Sequence, residues 1–431
     1  MISGCGPAAP SSESALLPAM ASPPLPLVPP RPREGVPAAR PGAPSTSSPG
    51  SVFQLLRDGV PRTRADLVAA SGMARSTVAG RIDELLGTGL VVPTGEASSS
   101  GGRPAVTFVF DPSSRVVVGI DLGVSHAHVA VTDLTNRVLA EDLVDLQIAD
   151  GPESVLRRTT ALAVRLLERA GRSLDDVAGT GIGLPGPVEF STGQPVSPPV
   201  MPGWDRFDVP GFLGRSLPGP VLVDNDVNIM ALGEHAERYR EVADLVFVKV
   251  ASGIGAGIIS GGARQRGAQG AAGDLGHVAV PDGNQTLCTC GNLGCLEAVA
   301  SGAAVARRLR ERGTDVQDQN DVVALVRAGD TATIQAVRDA GRAIGSVLAG
   351  VVSLLNPSVL VVGGRISAVG EQLLAGIRES VYRRSLPLGT HHLRIVGSVS
   401  GMRAGIVGAS VLVTDTLLSV DGVDAVVHGR G

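Results

Sequence analysis

The sequence predicts an α/β domain preceded by a winged helix-turn-helix, on three observations. From residue 115 onward, apolar strand-like runs alternate with helical patterns, as at 116–120, 127–131, 138–143, 152–170 and 177–183. Glycine-rich turns recur at the ends of those runs, where α/β folds hold ligands. Residues 51–110 read as helix, helix, glycine turn, helix and hairpin.

Taken in order, residues 1–50 hold thirteen of the thirty prolines among Ser, Ala and Gly, which predicts a disordered tail. Val52, Phe53, Leu55 and Leu56 line a first helix that stops at Gly59. Thr63 is a good N-cap for a second, ending at Ser71-Gly72, and a third over 75–86 buries Val78, Ile82, Leu85 and Leu86. Strands at 90–93 and 106–110 flank a loop with the composition of a wing, completing a winged unit over 51–110. The α/β domain then fills 115–431.

With 431 residues, 43% of them hydrophobic, the chain has material for large cores and is not a disordered protein. No apolar run reaches 18 residues uninterrupted, so no membrane span is expected. The start lacks a basic, then apolar, leader, which predicts a cytoplasmic protein. A net charge of -4 requires any DNA-binding surface to be a local patch. Lys249 is the single lysine, which together with 2% aromatic residues reads as compositional bias and not as function.

Three of the four cysteines, Cys288, Cys290 and Cys295, fall within eight residues. With His277, ten intervening residues before Cys288, they offer one imidazole and three thiolates, the closed tetrahedral set that structural zinc prefers; the alternative is three reduced core cysteines. Gly119–Ser125 (GIDLGVS), Ala251–Gly257 (ASGIGAG) and Asn356–Arg365 (NPSVLVVGGR) read as phosphate-facing turns or as ordinary tight turns. In VLVDNDVN, Asp224, Asn225 and Asp226 end an apolar strand before a helix, where a carboxylate accepts a hydroxyl proton or merely caps the helix.

In this order, DLGVS, GLPGP, MPGW, DNDVN, SGIGAG, GDLGH, CTCGNLGCLE and VVGGR resemble the ROK family (repressor, open reading frame, kinase) over residues 115–412. The resemblance implies an actin-like, ribonuclease-H-like two-lobed ATPase fold, used either by sugar kinases or by sugar-sensing repressors. It implies that Asn225, Asp226, Asp274, His277 and Glu297 bind sugar, with Asp226 the catalytic base where phosphoryl transfer occurs. His277 would ligate zinc through one nitrogen and orient sugar through the other. Asp274 stands where the family has Glu. Asp121, Gly123, Gly253, Gly255, Gly363 and Gly364 match the nucleotide-binding turns, although Val124, Ser125 and His126 replace the usual Gly-Thr-Lys.

The N-terminal unit resembles the family's repressors, including the GRPA after the wing. Arg75, Ser76, Thr77 and Arg81 would make groove contacts from the third helix. Arg103, in a Gly-Arg-Pro that resembles an AT-hook core, would enter a minor groove. Six arginines against five acids over 51–104 leave the unit weakly basic, so a protein-contact role is the alternative. The expectation is a sugar-responsive repressor that carries structural zinc and binds operator DNA as a homodimer or a dimer of dimers. The runner-up is an ATP- and Mg2+-dependent, glucokinase-like sugar kinase with an appended DNA-binding domain.

Overall fold

Capping side chains set the first helices. In this computed structural model, which describes residues 47–96, 105–280 and 285–429, the Ser48 hydroxyl accepts from Ser51 N and starts α1 (Pro49–Gln54). After β1 (Arg62–Thr63), Thr63 and Asp66 form a reciprocal capping box that starts α2 (Arg64–Ser71), and Gly72 ends it at φ 70°. Following the turn, α3 (Arg75–Thr88) buries Val78, Ile82 and Leu85. β2 (Val91–Glu96) and β3 (Val106–Phe110) pair antiparallel, and β1 adds to the other edge of β3. The tail drawn to residue 50 is too long: Ser48, Pro49 and Gly50 are buried. Residues 1–46 and the wing loop at 97–104 lie outside the described residues.

Two lobes follow. The first contains β4 (Val116–Leu122), β5 (His126–Asp133), β6 (Val138–Asp145), α4 (Pro152–Arg169), β7 (Val177–Leu184), β8 (Val188–Glu189), β9 (Gln194–Pro195), α5 (Val209–Leu213) and β10 (Val221–Asn225), then α6 (Asp226–Arg238). The second contains β11 (Leu245–Val250), β12 (Ile254–Ser260), β13 (Ala263–Gln265), α7 (Leu296–Ala300), α8 (Gly302–Glu311), α9 (Gln319–Arg327) and α10 (Thr331–Leu355). It continues through β14 (Val359–Gly363), α11 (Glu371–Arg384), α12 (Pro387–Thr390) and β15 (Arg394–Gly397). α13 (Arg403–Leu417) and α14 (Val420–Val427) end the chain.

The two large sheets share one topology. Their orders are β6-β5-β4-β7-β10 and β13-β12-β11-β14-β15. In each, the first strand and the two that follow it form an antiparallel meander, and two further strands run parallel on the first strand's other side. Every residue of β4 is buried, as a central strand covered on both faces requires. α13 packs on β4 and β7, α6 on β11 and β12, and these two helices pack on each other. Glycines permit that crossing: a Cβ on Gly408 would lie 1.6 Å from the Ile229 carbonyl oxygen, and one on Gly233 1.9 Å from that of Ala404.

The N-terminal unit does not own its core alone. Val52, Phe53, Leu56, Val78, Ile82, Leu85 and Phe110 form one cluster with Val117 of β4, Val413 of α13, Leu418, and Val423 of α14. Gly50 N donates to Asp424 Oδ1 at 2.7 Å and Gln54 Nε2 to the Leu418 carbonyl at 2.7 Å. α13 therefore runs about 22 Å, at 1.5 Å per residue, from the interior of the first lobe into the core beneath α1 and α3. No single helix among the described residues is long and apolar enough to cross a membrane.

Candidate functional site

The cysteine motif folds back on itself. Cys288 N donates to the Asn292 carbonyl, Cys295 pairs with Ala279 as an isolated bridge, and Cys295 then becomes the N-cap of α7. The ligand atoms of His277, Cys288, Cys290 and Cys295 all lie within 4.8 Å of one another. His277 Nδ1 is 3.6 Å from Cys288 Sγ, and Cys290 Sγ is 3.6 Å from Cys295 Sγ. Ligands at the usual Zn–S and Zn–N distances of about 2.0–2.3 Å would stand at similar separations around a tetrahedral ion. Burial pushes the Cys295 thiol up to about 12, and its neighbouring thiols push the same way. A cation between the sulfurs relieves that cost, so the donor set fits zinc.

Glu297 sits in the first turn of α7, directly after the cysteines. Its Oε2 accepts from Ile254 N at 3.1 Å, and its own N–H donates to the Gly276 carbonyl. The thiol loop, the GDLGH segment and the turn before β12 are thereby joined. With His277 Nδ1 facing the thiols, Nε2 is the ring nitrogen left for another partner. Asp274 is exposed, and its shorter side chain makes no hydrogen bond to this group.

Across the cleft, Asn225 caps α6: its Oδ1 accepts from Val227 N at 2.9 Å while Nδ2 donates to the Gly186 carbonyl at 2.8 Å. The cap fixes where the neighbouring Asp226 stands. Asp224 is turned away from that group, accepting from Asn228 at 2.7 Å and from Arg266 at 2.9 Å, with Arg264 at 3.5 Å. Asp226 is 5% exposed, and its Oδ2 accepts a short hydrogen bond from Lys249 Nζ of the opposite lobe.

Next to this pair is a cavity of about 320 Å³, lined by Asp121, Gly123 and His126 from one lobe and by Lys249, Gly364 and Arg365 from the other. Burial pushes Asp121 up to about 7; Lys249 opposes the shift and Asp226 adds to it. Burial, with the nearby Lys249 and Arg365 charges, pushes His126 down to about 4. The His126 ring lies over the first turn, so that a Cβ on Gly123 would fall 2.1 Å from it.

Of the six residues expected to hold a nucleotide, Asp121, Gly123 and Gly364 line this cavity. Gly253, Gly255 and Gly363 do not; a Cβ on Gly253 would crowd Glu297 and one on Gly363 the Phe247 ring, so at these two positions small size serves internal packing. Lys249, which composition alone reads as bias, stands instead in the wall of the cleft. The available signal was a lone charge inside an otherwise apolar strand. In the N-terminal unit, Arg75 and Ser76 are exposed and Thr77 is half-buried at the start of α3. Arg81 is occupied, donating to the Ser47 carbonyl at 2.9 Å and to both Glu84 oxygens. Arg103 lies outside the described residues.

Two lobes of repeated strand order closing on a cleft define the actin-like sugar-kinase class of fold. Within that class the chain belongs to the ROK family, whose model matches residues 117–416. It is 28% identical to the xylose repressor of Caldicellulosiruptor bescii over 382 residues, which is 85% of this chain and 95% of that protein. Its structure is similar to that of a ROK family transcriptional regulator, a homologue of the Escherichia coli MLC protein, with TM-score 0.77 and 26% identity, covering 89% of this chain and 99% of that one. It is also similar to a ROK family glucokinase from Streptomyces griseus in complex with glucose and AMPPNP, with TM-score 0.61 and 29% identity, covering 69% of this chain and 98% of that one.

Proposed function

We propose that this protein is a sugar-responsive transcription repressor, in which residues 48–110 form a winged helix-turn-helix that binds operator DNA and the two lobes bind the sugar that controls it. One observation carries the reading: the N-terminal unit and the end of α13 share a single core, while the start of α13 abuts the cleft. A change in lobe geometry on sugar binding would therefore reach the DNA-binding helices through a packed rod and not a slack linker. The extent of similarity supports the same choice, since the regulator matches 89% of this chain and the glucokinase 69%.

In this reading Asn225, Asp226, His277 and Glu297 engage sugar hydroxyls, and Asp274 reaches the sugar only if its loop closes. Zinc held by His277, Cys288, Cys290 and Cys295 would supply structural rigidity, fixing the start of α7 and so the direction of Glu297. Arg75, Ser76 and Thr77 face DNA. With one excess positive charge over 51–104, a single unit would bind weakly, so two copies in a homodimer supply useful affinity.

A second reading, an ATP- and Mg2+-dependent sugar kinase with an appended DNA-binding unit, is favoured by the glucokinase similarity. The ring of His126 over Gly123 argues against it, because backbone would have to meet phosphate there. The test uses the full chain, DNA fragments selected from a random pool, and fluorescence anisotropy with D-xylose, D-glucose and N-acetylglucosamine. The reading expects one of these sugars to weaken DNA binding by about 5-fold or more. A sugar that binds the protein and leaves its DNA affinity unchanged would sink it.

A further inference from the structure

The single lysine of the chain lies at the most consequential point of the cleft. Lys249 is the fifth residue of β11, a strand whose other residues are all buried and apolar. Its side chain crosses from the second lobe to the first and donates to Asp226 Oδ2. The charged and titratable groups that face it are Asp226 from α6, Asp121 from β4, His126 from β5 and Glu297 from α7. The Lys249 side chain is 20% exposed and that of Asp226 7%.

We propose that Lys249 withdraws Asp226 from acid–base chemistry and fixes it as a hydroxyl acceptor, so that the cleft binds a neutral sugar and releases it chemically unchanged. The inference rests on the reading of the cleft as a sugar site and adds what happens to the sugar there. A general base must take a proton while the hydroxyl oxygen attacks phosphorus. If Asp226 took that proton, the ion pair would lose its negative member and leave the ammonium without its hydrogen-bonded counter-charge in a site largely closed to water, a state that buried pairs resist. An intact pair still serves a bound sugar well. The carboxylate accepts from a hydroxyl and the ammonium donates to the same or the next oxygen, with no proton transferred.

The neighbouring features act in the same direction. His126 occupies the space over Gly123, and Asp121, held near neutrality by burial, is a poor counter-charge for a phosphate-bound cation. The pairing also favours an uncharged ligand. A phosphate ester at this hydroxyl would have to compete with Asp226 for Lys249 while standing beside the Asp226 carboxylate.

Because Lys249 is the sole lysine, lysine labelled with 13C at Cε and 15N at Nζ gives one side-chain signal in the full-length protein. The ion pair predicts an ammonium signal protected from exchange with water in the unliganded wild type. It also predicts a titration that falls by at least about one pH unit in Asp226→Asn. A rapidly exchanging signal, or one that ignores Asp226→Asn, would overturn the pairing, and the wild-type measurement requires neither sugar nor variant. The chemical half is tested with MgATP and D-xylose, D-glucose or N-acetylglucosamine. No sugar-dependent ADP is expected from the wild type. Sugar-dependent ADP formation that disappears in Lys249→Met and is retained in Lys249→Arg would make Lys249 part of a transfer machinery and refute the proposal. A protein that passes both tests but releases DNA with none of these sugars would fail as a sugar-responsive repressor while the pairing stands.

Discussion

At the scale of residues, two neighbours in the cleft carry opposite pH dependences. Asp121, raised to about 7, contributes stability that is full below the ordinary carboxylate range and is lost as pH rises through 7. His126, lowered to about 4, contributes stability that is full above its unfolded value near 6.5 and is lost as pH falls through 4. Between these limits the two largely cancel, and single substitutions separate them. Asp121→Asn should leave a protein whose melting temperature falls on acidification from pH 7 to pH 4, whereas His126→Gln should leave one whose melting temperature rises. Parallel profiles for the two variants would show that neither group is buried as described. The two arginines of α3 that are proposed to reach DNA differ for a similar local reason. Arg75→Ala should weaken DNA binding and reduce its salt dependence by about one unit of slope, while Arg81→Ala, whose guanidinium already holds Glu84 and Ser47, should mainly lower stability, by about 1 kcal/mol. The metal donor set was legible from spacing because its ligands lie close in sequence and one loop brings them together. Lys249 and Asp226 are 23 residues apart on opposite lobes, and no local pattern pairs them.

Among the elements, legibility followed the range of the forces involved. Thr63 as a cap and Gly72 as a stop could be read directly, since capping is settled within one helical turn. The common topology of the two sheets could not, because β4 and β11 share a place in the fold without sharing residues. α13 and α14 also escaped notice. Their apolar sequences reveal burial, but only the folded chain supplies Phe53 and Ile82 as partners. The α6–α13 crossing gives the sharpest test at this scale. Gly408→Val would drive a branched side chain into the Ile229 carbonyl and should cost several kcal/mol, roughly 3 or more, because two backbones must separate. A melting temperature within about 2 °C of wild type would contradict the close crossing. The thiol loop proposed to hold zinc leads directly into α7. Cys290→Ser should release the metal and raise amide exchange in α7 around Glu297, leaving α1, α2 and α3 as protected as before.

Over the whole molecule, the described residues from Ser48 onward join what the sequence reads as a DNA-binding unit and a ligand domain through one shared core. The two lobes meet through α6 and α13, and α13 continues into the core beneath α1 and α3. Coupling of this kind is reciprocal: if sugar weakens DNA binding by some factor, DNA must weaken sugar binding by that same factor. The most direct test of the account is therefore a pair of calorimetric sugar titrations, one on the free protein and one with its selected DNA at saturating concentration. Sugar should bind more weakly in the presence of DNA, by the factor found when DNA affinity is measured with and without that sugar. Equal sugar affinities, in a protein shown to bind both ligands, would contradict it.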